Sequence, residues 1–227
     1  MNVRRRAALL RYAAVQFVVL VAAAMAAYPG GTWFDGGATS YQLAHNFLSD
    51  LGATHTFSGR DNHVSQILFG IALGALGAAI VPFAWAWREH AFAQRRARAA
   101  GIASAIAGTA CGAAFAGVAV APIDVRLRLH NGLVIAAFAL LLVHVACLTF
   151  VRRRNRTGNV WLDLAYLAVV FGYFAVVIFG PRFTTERGVE MQVIAQKIIV
   201  CTTMIYIAYI TSAVRRAHTL TTSPRPT

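Results

Sequence analysis

A chain of 227 residues with 58% hydrophobic side chains and a mean hydropathy of +0.59 is a soluble domain only if its apolar residues alternate or follow amphipathic stripes. They form long runs instead, which excludes an ordinary soluble enzyme and, since ten-residue segments of alternating polarity are missing, a closed β-barrel. The net charge of +13 would suggest a nucleic-acid partner in a soluble protein, but the arginines sit between the apolar runs, and no nucleic-acid contact is expected.

The predicted elements, in chain order, are six membrane-spanning helices over about 12–29, 64–87, 99–121, 131–151, 160–180 and 193–214, each long enough for a hydrocarbon core of roughly 30 Å. The first follows Arg4, Arg5 and Arg6 and ends on small residues before Tyr28-Pro29-Gly30, so it also resembles a secretory signal with its cleavage site. The preferred reading is an uncleaved first helix. Between the second and third runs lie Arg88, Arg95, Arg96 and Arg98, and between the fourth and fifth lie Arg152, Arg153, Arg154 and Arg156. Arg215, Arg216 and Arg225 follow the sixth. Lys and Arg concentrate on the cytoplasmic side of membrane proteins, which predicts cytoplasmic N- and C-termini and contact with anionic lipid. The whole chain to about residue 220 reads as one all-α membrane domain, with a disordered tail over 221–227.

The one long connection, from Pro29 to about His63, then falls on the outer side. Its second part predicts a short helix lying in the interface or tucked into the bundle mouth: Ser40 can cap it, Gly52 can end it, and Tyr41, Ala44, Phe47, Leu48 and Leu51 share a side. The second helix carries Gly70, Gly74 and Ala78, and the third Ser104, Gly108, Gly112 and Ala116, all at four-residue spacing. Small residues let helix backbones approach, so these two helices are expected to pack together. Cys111, Cys147 and Cys201 have unrelated spacings inside apolar runs and imply neither disulfide nor metal.

Six of the eight carboxylates and four of the seven histidines fall on the predicted outer side. Most can simply solvate loops. Two stretches stand out: His45-Asn46-Phe47-Leu48-Ser49-Asp50-Leu51-Gly52, and Pro122-Ile123-Asp124 followed by His130-Asn131-Gly132. At the membrane boundary an Asp or His can have its pKa set by partial desolvation and a neighbour, as a general acid or base requires. Asp50, His130 and Asp124 are therefore candidate catalytic groups, with His45, Asn46, Ser49, Asn131 and Lys197 as candidate ligand-binding groups. The plainer alternative is that Asp124 caps a loop, His130 satisfies a carbonyl, and Ser49 and Asp50 close a turn. His45, Asp50, Asp124, His130 and Ser49 could surround zinc if the loop folded over the bundle. A second histidine three or four residues from His130 is missing, however, so no metal is assigned and the cofactor is left open. Within the bundle, His144, Asp163, Gln192, Gln196 and Lys197 are the polar residues expected to face inward and find one another.

The order HNFLSDLG, a second helix opening after Asn62, then PID and HNG resembles a family of prokaryotic multi-pass membrane proteins, domain of unknown function 998. The chain is also distantly similar to the six-helix DRAM-like proteins, which are linked to lipid handling. Carried over by position, the first resemblance singles out Ser49, Asp50, Leu51, Gly52, Pro122, Asp124, His130 and Asn131, and it implies no established reaction. The expectation is a bacterial plasma-membrane protein with a polar cavity at the outer face. That cavity would bind or modify a lipid headgroup or small amphiphile, with membrane lipids as partners. A structural, sensor or transport-related protein without a catalytic site is the alternative.

Overall fold

The computed structural model describes residues 2–91, 97–154, 159–181 and 183–222. The loop arginines Arg95, Arg96, Arg156 and Arg182, and residues 223–227 of the expected tail with Arg225, lie outside them. Six helices carry the chain: α1 (Val3–Ala27), α2 (His63–Ala91), α3 (Arg98–Ala119), α4 (Leu127–Arg154), α5 (Val160–Phe179) and α6 (Glu186–Thr222). All six are long and apolar enough to cross a membrane, and no strand forms among the described residues. The chain is a multi-pass helical membrane protein.

Local chemistry sets the ends of these helices. The Asn2 side chain accepts from the Arg5 N–H at 3.0 Å to open α1, and Asn159 accepts from the Trp161 N–H at 3.0 Å to open α5. Tyr28, just before Pro29, is extended (φ −68°, ψ 123°), because a residue preceding proline avoids the helical region. Near the end of α5 the Val176 carbonyl accepts from the Gly180 N–H at 2.9 Å and from the Gln192 Nε2–H of α6 at 2.8 Å.

Successive helices pack side by side and α6 returns to α1, closing a ring in chain order. The α1–α4 part is the tighter one. Its α2–α3 seam is the expected small-residue contact with one change of register. Gly77, and not Gly74, meets α3, where a side-chain carbon on Gly77 would stand 2.5 Å from the Gly112 carbonyl oxygen and 3.1 Å from the Ala116 nitrogen. Gly74 faces open space. Since backbone cannot yield as a flexible side chain does, Gly77→Val is expected to lower the unfolding stability of the protein in detergent by roughly 1–3 kcal/mol, while Gly74→Ala leaves it unchanged.

At one end of the ring, residues 28–62 fold into a cap. Gly30 and Gly31 take positive φ (105° and 92°), where a side chain would be strained and would strike the backbone at Ala38 and Ser58. The expected helix in this loop is present only as a five-residue 3-10 turn, Leu48–Gly52, buried from Leu48 through Leu51 and seated in the bundle mouth. Ser40 does not cap it. The Asn46 side chain instead accepts from the Gln42 N–H at 2.9 Å and donates to the Gly31 carbonyl at 2.9 Å, so residues 41–47 form turns: a short amide side chain has outcompeted the helical hydrogen-bond ladder.

Candidate functional site

The cap is built around Asn46, which is fully buried. Its carbonyl accepts from Lys197 Nζ on α6 at 2.6 Å and from the Tyr41 hydroxyl at 3.0 Å. Its Nδ2 donates to Asp50 Oδ2 at 3.2 Å, and the same carboxylate oxygen accepts from the Phe47 N–H at 2.8 Å, capping the 3-10 turn. Gln196, one residue before Lys197, accepts from the Leu48 N–H at 2.7 Å. Two adjacent polar residues of α6 thus hold the loop down. The Lys197 ammonium also lies 5.4 Å from the centre of the Tyr41 ring, in range of a cation–π attraction. Ser49 is buried in the same turn, and His45 stands at the rim with its Nε2 3.6 Å from Glu186.

Burial pushes the Asp50 carboxyl up to about 6, against the hydrogen bonds from Asn46 and Phe47 and the charge of Lys197, which pull it down. The Tyr28 and Tyr41 hydroxyls are pushed above the ordinary tyrosine range, first by burial and then by the Asp50 charge.

The second predicted element meets the cap elsewhere. Asp124 accepts from the Thr54 N–H at 3.0 Å, from the His55 N–H at 3.1 Å and from the Thr54 hydroxyl. Burial raises this exposed carboxyl, but the hydrogen bonds outweigh it and hold the group below the usual Asp value. His130 is buried at the start of α4 with Nδ1 2.7 Å from the Ala121 carbonyl. A carbonyl only accepts, so Nδ1 carries the proton and Nε2 is left as an acceptor, buried and without a partner among the described residues. Asn131 is exposed. The PID turn therefore docks on Thr54 and His55, not on Asp50. Asn62 ties the two halves of the cap together, its Nδ2 donating to the carbonyls of Asp50, Leu51 and Ala53 at 3.0–3.3 Å. Among the described residues no three of His, Cys, Asp and Glu converge as a metal site.

At the opposite end of the ring lies a second cluster, of which the sequence placed Asp163 inside the bundle but missed its partners Arg152, Tyr206 and Tyr209. Arg152, at 1% exposure, donates from Nη1 to Asp163 Oδ1 at 2.7 Å and from Nη2 to the Tyr209 hydroxyl at 2.8 Å. Asp163 is wholly buried and also accepts from the Tyr206 hydroxyl at 3.0 Å. In the sequence Arg152 opens a run of three arginines and reads as one more loop cation. The available signal was the lone carboxylate of Asp163, eleven residues on, in the first turn of an otherwise apolar helix.

Comparison of the chain with protein-family models, with curated proteins and with solved structures finds no match.

Proposed function

We propose that this protein sits in a bacterial plasma membrane with both termini in the cytoplasm, and that its cap faces outward and binds a lipid headgroup or small amphiphile without turnover. The arginines near the helix ends opposite the cap support that orientation by the positive-inside rule. The resemblance to the domain of unknown function 998 family, carried by HNFLSDLG and PID, belongs to the same proposal. The observation that carries the binding reading is the state of Lys197. Its half-buried ammonium is held by the Asn46 carbonyl and the Tyr41 ring, and two of its three N–H donors have no partner among the described residues. A cation fixed at the cap seam with donors to spare suits an anionic or polyhydroxylated headgroup. The Asn46 side chain and the Asp50 carboxylate are committed to the chain itself, and among the described residues no nucleophile–base pair stands beside them.

Native mass spectrometry of the protein purified in mild detergent is expected to find co-purifying acidic lipid. Lys197→Gln should retain roughly tenfold less, the scale of one charge-assisted hydrogen bond. Equal retention by both proteins, or no retained lipid in the wild type, would sink the reading.

One observation favours a second, enzymatic reading: a buried carboxyl poised near neutrality, Asp50, is what a general acid or base requires. Membrane lipid profiles of cells expressing wild type, Asp50→Ala or His130→Ala at matched levels decide it. A species made or consumed only by the wild type establishes turnover, and identical profiles in all three and in protein-free cells remove it.

A further inference from the structure

The helix ring encloses a cavity of about 70 Å³, deeper in the bundle than the cap and on the side of the Arg152–Asp163 cluster. Side chains from all six helices line it, and its wall is apolar except for His144, Tyr166, Thr203 and Tyr206. Three of these four are already engaged. The Tyr166 hydroxyl pairs with Thr203 Oγ1 at 2.9 Å, Thr203 donates to the Ile199 carbonyl at 2.7 Å, and the Tyr206 hydroxyl donates to Asp163.

His144 is the exception. Its Nδ1 lies 2.8 Å from the Ser104 carbonyl oxygen, so Nδ1 carries the proton, and Ser104 Oγ donates back to the His144 carbonyl at 3.3 Å. The Nδ1–Cε1 edge of the ring rests against Gly108, the small residue that lets it approach α3. In the uncharged ring Nε2 is then a lone-pair acceptor, and it has no hydrogen-bond partner among the described residues. The cavity thus offers one well-held acceptor that makes no other hydrogen bond, in a chamber that is otherwise almost wholly apolar.

Water is a poor occupant of such a place. The volume exceeds the roughly 10–15 Å³ that one water needs, but besides His144 Nε2 the wall holds only the oxygens of hydroxyls that already donate elsewhere, so every polar group is an acceptor and the lone pairs of a buried water find no donor. A charged molecule is worse, since no counter-charge lines the wall. What matches is a compact apolar body with a single donor. We propose that the central cavity is a binding site for a small, uncharged molecule of the short-chain alcohol class, its hydroxyl donating to His144 Nε2. The site lies apart from the cap, so it does not rest on the headgroup reading. Access is easiest beside α5, which buries only Asp163, Tyr166 and Val170 and flanks the looser part of the ring.

The test uses the full chain in nanodiscs, photolabelled with a four-carbon alkanol carrying a diazirine and, in parallel, with the same chain lacking the hydroxyl. Mass spectrometry is expected to place the alkanol adducts on Met204, Tyr166 and Tyr206, with roughly tenfold less labelling by the hydrocarbon probe. Val200→Phe, which fills the cavity from α6 and leaves His144 in the sequence, should abolish that labelling. His144→Leu should lower it about tenfold, the effect of losing one hydrogen bond in an apolar site. Adducts confined to exposed residues such as Ile205 and Phe171, or cavity adducts that the hydrocarbon forms equally well, would overturn the proposal. Should His144→Leu fail to fold, the hydrocarbon comparison and Val200→Phe still decide.

Discussion

Asp163→Ala is expected to destabilise the protein by about 3–5 kcal/mol, the scale seen when one partner of a buried ion pair is removed. The cause is the charge left behind. Arg152 is buried to 1% exposure with its Nη1 on Asp163 Oδ1 at 2.7 Å, and removing that carboxylate strips a guanidinium inside the bundle of the charge that faces it. The Tyr206 hydroxyl loses its acceptor at the same time. The same argument makes the double substitution Arg152→Met with Asp163→Leu much milder than either single change, because apolar side chains of similar volume replace the pair without stranding a charge. Equilibrium unfolding in mixed detergent micelles reads the wild type, Asp163→Ala, the two single changes and the double variant. A double variant as unstable as Asp163→Ala would show that the cluster stabilises through shape and hydrogen bonds, not through paired charge.

That cluster also marks where sequence reasoning stops. Apolar run length announces six spanning helices because a lipid-facing helix must be apolar along its whole length, and the structure has all six. The α2–α3 contact was legible from small residues at four-residue spacing, but its register was not. Gly70, Gly74 and Gly77 are equally small, and only the helix crossing decides that Gly77 meets Gly112. The loop misled in a different way. Tyr41, Ala44, Phe47, Leu48 and Leu51 have helical spacing, yet Asn46 captures the Gln42 N–H and the Gly31 carbonyl, and only the five residues Leu48–Gly52 wind into a 3-10 helix. Long-range pairings were the least visible. Nothing in local pattern says that Asp124 accepts from Thr54 and His55, seventy residues away in the chain, or that Leu48 docks on Gln196. Arg152 shows the same limit, since a positive-inside count treats every arginine near a helix end alike whether it lies in the headgroups or inside the fold.

The cap is expected to hold more tightly as pH falls from 7.5 to 4.5, contrary to the usual acid lability of carboxylate contacts. The Asp50 carboxyl titrates near 6 in the folded cap against 3.8 when exposed, because burial disfavours its charged form more than Asn46, Phe47 and Lys197 favour it. A raised folded value means that the seated cap binds the proton more tightly than the open one. The associated stability is fully present below about 4 and is lost as pH rises through about 6. A difference of about two pH units corresponds to on the order of 3 kcal/mol. Asp124 does not confuse this window, since its lowered value places its own transition below that of an ordinary Asp. The groups facing Asp50 are Lys197 from α6, Tyr28 at the end of α1 and Tyr41 in the loop, and the two tyrosines are shifted up, away from this range. Hydrogen–deuterium exchange of amides 46–52, corrected for intrinsic rates, should therefore show greater protection at pH 4.5 than at pH 7.5. Asp50→Asn keeps an oxygen acceptor for the Phe47 N–H but carries no charge to desolvate, so its protection should be high and flat across the same range. If acid instead opens the cap of the wild type and Asp50→Asn is open at every pH, the carboxylate is favoured in the folded state. Lys197 must then pair with it more strongly than its burial opposes.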